Sequence, residues 1–311
     1  MYSAREAVLQ EIEKSGFPEF NRFTLKDQGL IQAYIDTFKP ASCEYNFSNL
    51  FAWQNASKMS WTLYNQRLLI YDEISQCAFM PLGEDFYPED LAILSLNMKN
   101  AGFEPNFSLA TLDYLEKFPE IENYYQIKEE RDYAEYIYDV ESLCELTGIK
   151  LHKKRNLISQ FKRTYPGFEV FLLNEDFKKK TQGLAQKIMQ KRKKSSKTLD
   201  QEFDAIKISF DNFDQLGLEG LVLTLENSVV AFSVFSKLEH STYDIQFEKS
   251  NPDFKGAGQV INQETARYLK DKCKYLNREQ DLGIKGLRQA KMSYEPLRLI
   301  TPYSLIFNPS N

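Results

Sequence analysis

Near the end of this 311-residue chain, the run NREQDLGIKGLRQAKMSYEP (residues 277–296) carries the residue types that carbonyl and phosphate chemistry needs. Asp281 can accept a proton or orient an amine. Arg288 and Lys291 can bind anionic groups, Asn277 offers an amide, and Tyr294 is a candidate acid for a leaving group. The spacing predicts a helix that opens at Leu282, with Asp281 as its cap and Pro296 as its stop. On that helix Gly283, Leu287, Ala290 and Tyr294 share a narrow apolar side. Asp281, Lys285, Arg288 and Lys291 fall opposite or at its edge. Periodicity alone leaves two readings, an ion-paired solvent face or the wall of an anion- or carbonyl-binding cleft. Tyr294 equally fits the core.

A second candidate is the turn Lys255-Gly256-Ala257-Gly258-Gln259, between a strand and a helix. Backbone N–H groups at such a helix start bind phosphate, and glycines permit close approach. No third glycine follows and the preceding strands look antiparallel, so a dinucleotide fingerprint is excluded. Glu248, at the end of the preceding strand, is a rival base to Asp281. Basic residues form the other pattern. Lys178–Lys180, Lys187, Lys191–Lys194 and Lys197 follow Asp176 with no acid between, which reads as a solvated face or as contact to backbone phosphates. Lys153-Lys154-Arg155-Asn156 precedes an apolar helix.

Charge is uneven. The chain carries −5 overall, but residues 1–149 hold 11 basic against 25 acidic residues, 150–197 hold 15 against 3, and 198–311 hold 13 against 16. A central positive band in an acidic chain favours a phosphate-rich partner such as tRNA, a nucleotide-bearing cofactor or anionic headgroups. Two histidines, His152 and His240, and four scattered cysteines give neither a His-based triad nor a metal-ligand pattern. No metal is therefore expected, and the thiols read as reduced. The N-terminus lacks the apolar core of a signal peptide. The most apolar stretch, Leu216–Leu238, is broken by Glu219 and Glu226. A cytoplasmic location is expected.

The elements needed to position these residues recur twice. Helices come first, over residues 2–14 and Asp27–Phe38. Strand-like runs follow at Ser60–Tyr64, Leu68–Tyr71 and Cys77–Leu82, then a helix at Glu89–Ala101 and a strand at Asp132–Asp139. The compact aromatic segment Phe47–Trp53 is either core or cleft wall. The second series has helices near Glu175–Lys194 and Asp200–Phe213. Strands at Leu218–Leu225, Val229–Phe235 and Thr242–Phe247 lead to the glycine turn and a helix to about Cys273. Tyr275–Arg278 and Tyr303–Phe307 close it. The reading is α+β with a mixed sheet in each of two tandem domains. Their bounds are 1–140, a helical connector 141–165, and 166–311, with the second domain active and the first degenerate.

The run NREQDLGIKGLRQAKMSY, with Asn46–Trp53, Asp132–Phe161 and Thr242–Pro296, resembles the phosphatidylglycerol lysyltransferase C-terminal-domain family. The resemblance implies two tandem GNAT-like (acyl-CoA N-acyltransferase) domains, similar to Fem-type aminoacyl transferases. It also implies transfer of an aminoacyl or acyl group, with aminoacyl-tRNA as donor, to an amine, hydroxyl or lipid-headgroup acceptor. Acyl-CoA as donor, or a non-catalytic protein on the same scaffold, are the alternatives. No tightly bound cofactor is expected, since the donor is a co-substrate. The resemblance places donor phosphates at Lys255, Gly256 and Gly258. Asp281, Glu248 and Tyr294 become the catalytic candidates, and Arg155, Asn156, Asn277, Arg288 and Lys291 the substrate contacts. This chain differs from full-length lysyltransferases in having no membrane-spanning segment, which separates the chemistry from a phospholipid acceptor.

Overall fold

The structure is a computed structural model and describes residues 17–191 and 197–308. The expected helix over 2–14 and the basic residues 192–194 lie outside the described residues. So do the side chains of Lys191 and Lys197. In chain order the elements are α1 (Gln28–Phe38), α2 (Phe47–Ser57), β1 (Met59–Tyr64), β2 (Arg67–Asp72), β3 (Cys77–Phe79), α3 (Pro88–Asn100), β4 (Phe107–Ala110), α4 (Leu112–Lys117), β5 (Tyr125–Glu129), β6 (Glu135–Asp139), α5 (Val140–Glu145) and α6 (His152–Thr164). Then come β7 (Glu169–Leu172), α7 (Glu175–Lys191), α8 (Lys197–Asp211), β8 (Glu219–Leu225), β9 (Ser228–Glu239), β10 (Thr242–Ser250), α9 (Ala257–Leu269), β11 (Tyr275–Asn277), α10 (Lys285–Met292), β12 (Arg298–Ile300) and β13 (Tyr303–Phe307).

Two compact units form, and neither is a continuous stretch. One holds residues up to Phe38, Ser57–Glu130 and the chain from Pro302; the other holds Lys39–Ala56 and Arg131–Thr301. The expected bounds at 140 and 166 are thereby corrected. The reason is strand exchange: β6 pairs with β11 and β12, while β13 inserts between β4 and β5. Sequence order and spatial order part company at those strands.

In the first unit the sheet runs β1-β2-β3-β4-β13-β5. The β1–β2 hairpin turns at Asn65-Gln66, both at positive φ (46° and 61°), the geometry that matches strand twist in a two-residue turn. Leu69, Leu94, Met98, Phe107, Ile121 and Leu305 are fully buried between this sheet and its helices.

The second unit is a sheet ordered β12-β6-β11-β10-β9-β8-β7. β8, β9 and β10 are antiparallel, as the sequence indicates, and the β8–β9 hairpin repeats the positive-φ turn at Glu226-Asn227. α9 crosses from β10 to β11, which run parallel for three residues, Thr242↔Tyr275 to Asp244↔Asn277. β10 continues to Ser250, but β11 ends at Asn277. Past Asp244 the strands separate. A bulge in β10 against β9, between Ile245 and Phe247, marks the same place. It inserts Gln246 and changes which way later side chains point. Asp244, Gln246 and Phe247 meet α2 through Asn49, Ser48 and Trp53. Tyr243 and Ile245 join the core with Ala266 and Val260 of α9, and Glu248 reaches Asn262 of α9.

Candidate functional site

The gap between β10 and β11 gathers side chains on both of its faces, all from the second unit. Toward α2 lies a buried acidic chamber. Glu135 on β6 is 1% exposed and accepts bonds from Ser42 Oγ (2.5 Å), the Cys43 N–H (3.0 Å) and Asn277 Nδ2 (2.5 Å). Asp244 is fully buried; its Oδ2 takes Asn49 Nδ2 (2.9 Å) and Asn46 Nδ2 (3.4 Å), while Oδ1 meets no donor among the described residues. Asn49 Nδ2 also reaches Glu279 Oε1 at 3.2 Å. Gln246 donates to Ser48 Oγ and Asn49 Oδ1, leaving its own Oε1 buried and without a donor. Burial raises the Glu135 and Asp244 pKa values, Asp244 the more because Glu279 and Glu135 repel its charge. Glu279 is pushed up to about 8, by burial first, against the attraction of Lys291.

Glu279 is held in place by an unusual backbone. Its φ is +53°, and Leu282 and Gly283 follow at +53° and +71°. Left-handed geometry at non-glycine residues is costly and concentrates where a side chain must be aimed. The Glu279 N–H donates to Asn277 Oδ1 (2.9 Å), which continues the chain Glu135–Asn277–Glu279. Lys291, only 8% exposed, spends its ammonium on the carbonyls of Arg278 (2.6 Å) and Gln280. Burial brings its pKa down to about 8. Burial thus shifts Glu279 and Lys291 in opposite directions, each toward its uncharged form.

Toward α9 the character is basic and aromatic. Arg278 Nη2 pairs with Glu248 Oε1 at 2.8 Å, and its guanidinium lies 4.9 Å from the Tyr294 ring centre and 5.4 Å from that of Tyr138. Nη1 is buried with no acceptor among the described residues. Glu248 also accepts Asn262 Nδ2 (3.0 Å). It is a partner to Arg278 rather than an open base.

The structure gives Asp281 a different role from the expected one. Its carboxylate is fully buried and saturated by Arg288 Nε (2.9 Å) and Nη2 (2.7 Å), Arg131 (3.3 Å), Tyr136 Oη (2.5 Å) and the Gly283 N–H (2.9 Å). Although burial opposes it, Arg288 and Tyr136 hold the carboxyl well below the usual range. Such a group keeps its charge and anchors; it does not accept protons. Arg288 is likewise occupied, by Asp281 and by Asp132 (2.6 Å). The helix expected from Leu282 begins only at Lys285, because the positive φ at Leu282 and Gly283 makes a turn instead. The wheel inverts except at Tyr294, which is buried as its apolar side implies: Lys291 is buried too, while Leu282, Ile284, Leu287 and Met292 are exposed. Carbonyls of the 278–280 turn require donors, and Lys291 supplies them.

The remaining candidates divide. Tyr294 is core, with burial raising its pKa, and Asn277 is a buried strut rather than a substrate contact. Arg155 caps α5 through the carbonyls of Leu146 and Gly148 (2.8 Å), which corrects its expected substrate role. Asn156 is exposed beside His152. Gly256 (φ +97°) is buried where α9 crosses α6: a Cβ there would lie 2.6 Å from the Leu157 carbonyl oxygen and 2.9 Å from Phe161 Cβ. Packing therefore accounts for that glycine. The N–H groups of Ala257, Gln259 and Val260 already donate to the carbonyls of Phe254 and Gly256. Lys255 is exposed, and Gly258 approaches Ser250 Oγ. On α7, Lys178 pairs with Glu175 and Lys180 reaches the Asn227 carbonyl. Lys187 lines a groove of about 430 Å³ with Leu184, Ile188, Gln190, Asn251 and Asp253. That groove borders the glycine turn.

Sequence reading missed Cys43, Glu135, Asp244, Gln246 and Glu279. A usable signal existed in β10, where Tyr-Asp-Ile-Gln-Phe-Glu puts a polar residue at every second place of a central strand. A second lay in Asn46-Phe-Ser-Asn49, polar residues inside an apolar segment. Cys43, Asp244 and Glu279 place one ligand atom each within 4.8 Å of one another, a grouping that no local pattern announces.

A family profile described as phosphatidylglycerol lysyltransferase, C-terminal, matches residues 36–306. A search of curated proteins found no match. Among solved structures, a conserved protein of unknown function from Bacteroides thetaiotaomicron is similar with a TM-score of 0.85 and 27% identity, over 94% of this chain and 100% of that one. L-PGS from Bacillus licheniformis gives 0.63 and 14%, over 92% and 93%. FemX gives 0.57 and 8%, over 93% and 97%. The last two likenesses are of fold.

Proposed function

Since this chain belongs to the phosphatidylglycerol lysyltransferase C-terminal family and has the tandem GNAT fold, we propose that it is an acyl transferase working at the gap between β10 and β11. It moves an aminoacyl or acyl group from an activated ester to an amine or hydroxyl. The observation that carries this reading is the convergence of Glu135, Asp244 and Glu279 through Asn49 and Asn277, beside Asp244 Oδ1, Gln246 Oε1 and Arg278 Nη1, which are buried and without a partner among the described residues. The nucleophile attacks the ester carbonyl, the ester C–O bond breaks, and the proton lost by the nucleophile ends on the leaving oxygen. Glu279 is the group that takes the proton first. Arg278 Nη1, a buried donor in want of an acceptor, suits the oxygen that gains charge. Asp281, Arg288 and Arg131 hold the turn that presents Arg278 and Glu279.

Aminoacyl-tRNA is the donor we favour, because the basic helix α7 and the Lys187 groove adjoin the same strand end. Among the described residues no helix is long and apolar enough to cross a membrane. A transfer assay with matched donors tests the reading. Aminoacyl-tRNA should be turned over, and its use should fall steeply from 50 to 200 mM salt, roughly tenfold or more. Turnover of acetyl-CoA alone, insensitive to salt, would replace this donor. No turnover of any ester would remove the transferase reading.

A further inference from the structure

Cys43 comes from a turn before α2, Asp244 from β10 and Glu279 from the turn after β11, yet one ligand atom of each lies within 4.8 Å of the others. One amide ties the three together. Asn49 Nδ2 reaches the Cys43 carbonyl (3.2 Å), Asp244 Oδ2 (2.9 Å) and Glu279 Oε1 (3.2 Å). Gln280 Nε2 donates to the Cys43 sulfur at 3.6 Å, and the Cys43 N–H donates to Glu135 at 3.0 Å. Groups that orient ligands from behind in this way are what a metal site needs. Two acceptors beside them are left over. Asp244 Oδ1 and Gln246 Oε1 are buried with no donor among the described residues, on residues 0% and 7% exposed. A buried acceptor without a partner costs free energy that a ligand can recover. Negative charge is in excess as well. Glu135, Asp244, Glu279 and Glu44 face the thiol, while the Lys291 ammonium is committed to the carbonyls of Arg278 and Gln280.

We infer that Cys43 Sγ, an Asp244 oxygen and a Glu279 oxygen bind a thiophilic divalent cation of the Zn²⁺ class, and that the loaded protein is closed to transfer. One thiolate and two carboxylates are a ligand set for Zn²⁺, whose tetrahedral shell leaves a fourth place for water or Gln246 Oε1. Mg²⁺ and Ca²⁺ do not fit, since they take oxygen ligands and more of them. Burial first, then Glu135 and the other carboxylates, keep the free thiol protonated, so the cation must displace that proton. The S–H bond breaks, the metal–sulfur bond forms, and the proton passes to solvent with no change of oxidation state. Glu279 is the ligand that is partly exposed, and the cation enters past it. Once bound, the cation occupies the Glu279 lone pair, so the base proposed above is blocked. The site rests on the chamber's geometry, and only its effect on turnover rests on the transferase reading.

Titration of the whole, chelator-treated protein with Co²⁺ and with Zn²⁺ tests the site. Co²⁺ should produce a thiolate-to-cobalt charge-transfer band in the near ultraviolet, which added Zn²⁺ abolishes and Mg²⁺ leaves intact. Cys43→Ser should lose the band and weaken Zn²⁺ by at least about a hundredfold. Asn49→Ala, which removes only the amide behind the ligands, should weaken it by about ten- to a hundredfold. Cys77→Ser and Cys273→Ser, which remove the partly exposed thiols elsewhere, should change neither. No band in the wild type, a band kept in Cys43→Ser or lost with Cys77 or Cys273, or displacement of Co²⁺ by Mg²⁺ overturns the inference. The wild-type spectrum decides even where a variant does not fold. In the transfer assay, saturating Zn²⁺ should stop the wild type and spare Cys43→Ser, and equal inhibition of both overturns the closure. Zn²⁺ bound as described with turnover unaffected leaves the site standing and moves the chemistry out of the chamber. Zn²⁺ binding without turnover of any ester removes the transferase alone.

Discussion

Replacing Asp281 with Asn separates an anchoring carboxylate from a catalytic one. The wild-type side chain is fully buried and receives five hydrogen bonds, three of them from Arg288 and Arg131. Breaking a buried ion pair from one side costs about 3–5 kcal/mol. Here both arginines are about a third exposed (34% and 35%), so water recovers part of the loss and about 2–3 kcal/mol remains. In a unit of this size that lowers the melting temperature by about 8 °C. The sign follows from the depressed carboxyl pKa in the folded state. The stabilisation is complete above the ordinary aspartate value of about 4 and is lost as pH falls through the folded value. The two proteins should therefore differ fully at pH 5–7 and converge only in strong acid. Thermal unfolding by circular dichroism from pH 7 downward reads this directly. A drop of less than about 2 °C at pH 7, together with a large loss of transfer rate, would refute the anchoring argument and return Asp281 to the chemistry.

Other outcomes follow from the same contacts. Gly256→Ala combines a left-handed φ with a clash against Leu157 and Phe161 and should cost about 3 kcal/mol. Unaltered unfolding with weaker donor binding would instead make that glycine a phosphate contact. Arg155→Met removes the cap on the Leu146 and Gly148 carbonyls and should cost about 1–2 kcal/mol, with transfer per folded molecule unchanged. Loss of transfer at intact stability would restore Arg155 as a substrate contact. Because the Glu279 pKa rises on folding, stability should decline as pH climbs from about 4.5 toward about 8. Urea midpoints of Glu279→Gln should show a flatter profile there, and an equal slope would count against the half-buried, raised carboxyl.

The strands of both sheets were legible because alternation and turn residues are local. Leu218–Leu225 and Thr242–Phe247 need only their own residues to be read, and Asn65-Gln66 announces a hairpin. Discontinuous units were not legible, since nothing in β6 or β13 says which sheet will accept it. The site suffered from the same distance. Cys43, Glu135, Asp244 and Glu279 are spread over more than 230 positions, and each alone resembles an ordinary polar residue. Only the short parallel pairing of β10 with β11 and the packing of α2 bring them together. The helix at Lys285–Met292 misled for another reason. Its amphipathic pattern is genuine, but orphan carbonyls and a buried carboxylate drew the charged side inward and left leucines outside.

The central claim is that a raised carboxylate at 279, beside the parted strands, moves the proton in acyl transfer. It is tested most directly by the pH dependence of kcat/KM for aminoacyl ester transfer in wild-type and Glu279→Gln proteins. The expected wild-type rate rises with pH through a midpoint near pH 8, and the variant should be at least a hundredfold slower (about 3 kcal/mol) without that limb. Equal rates with superimposable profiles would contradict it.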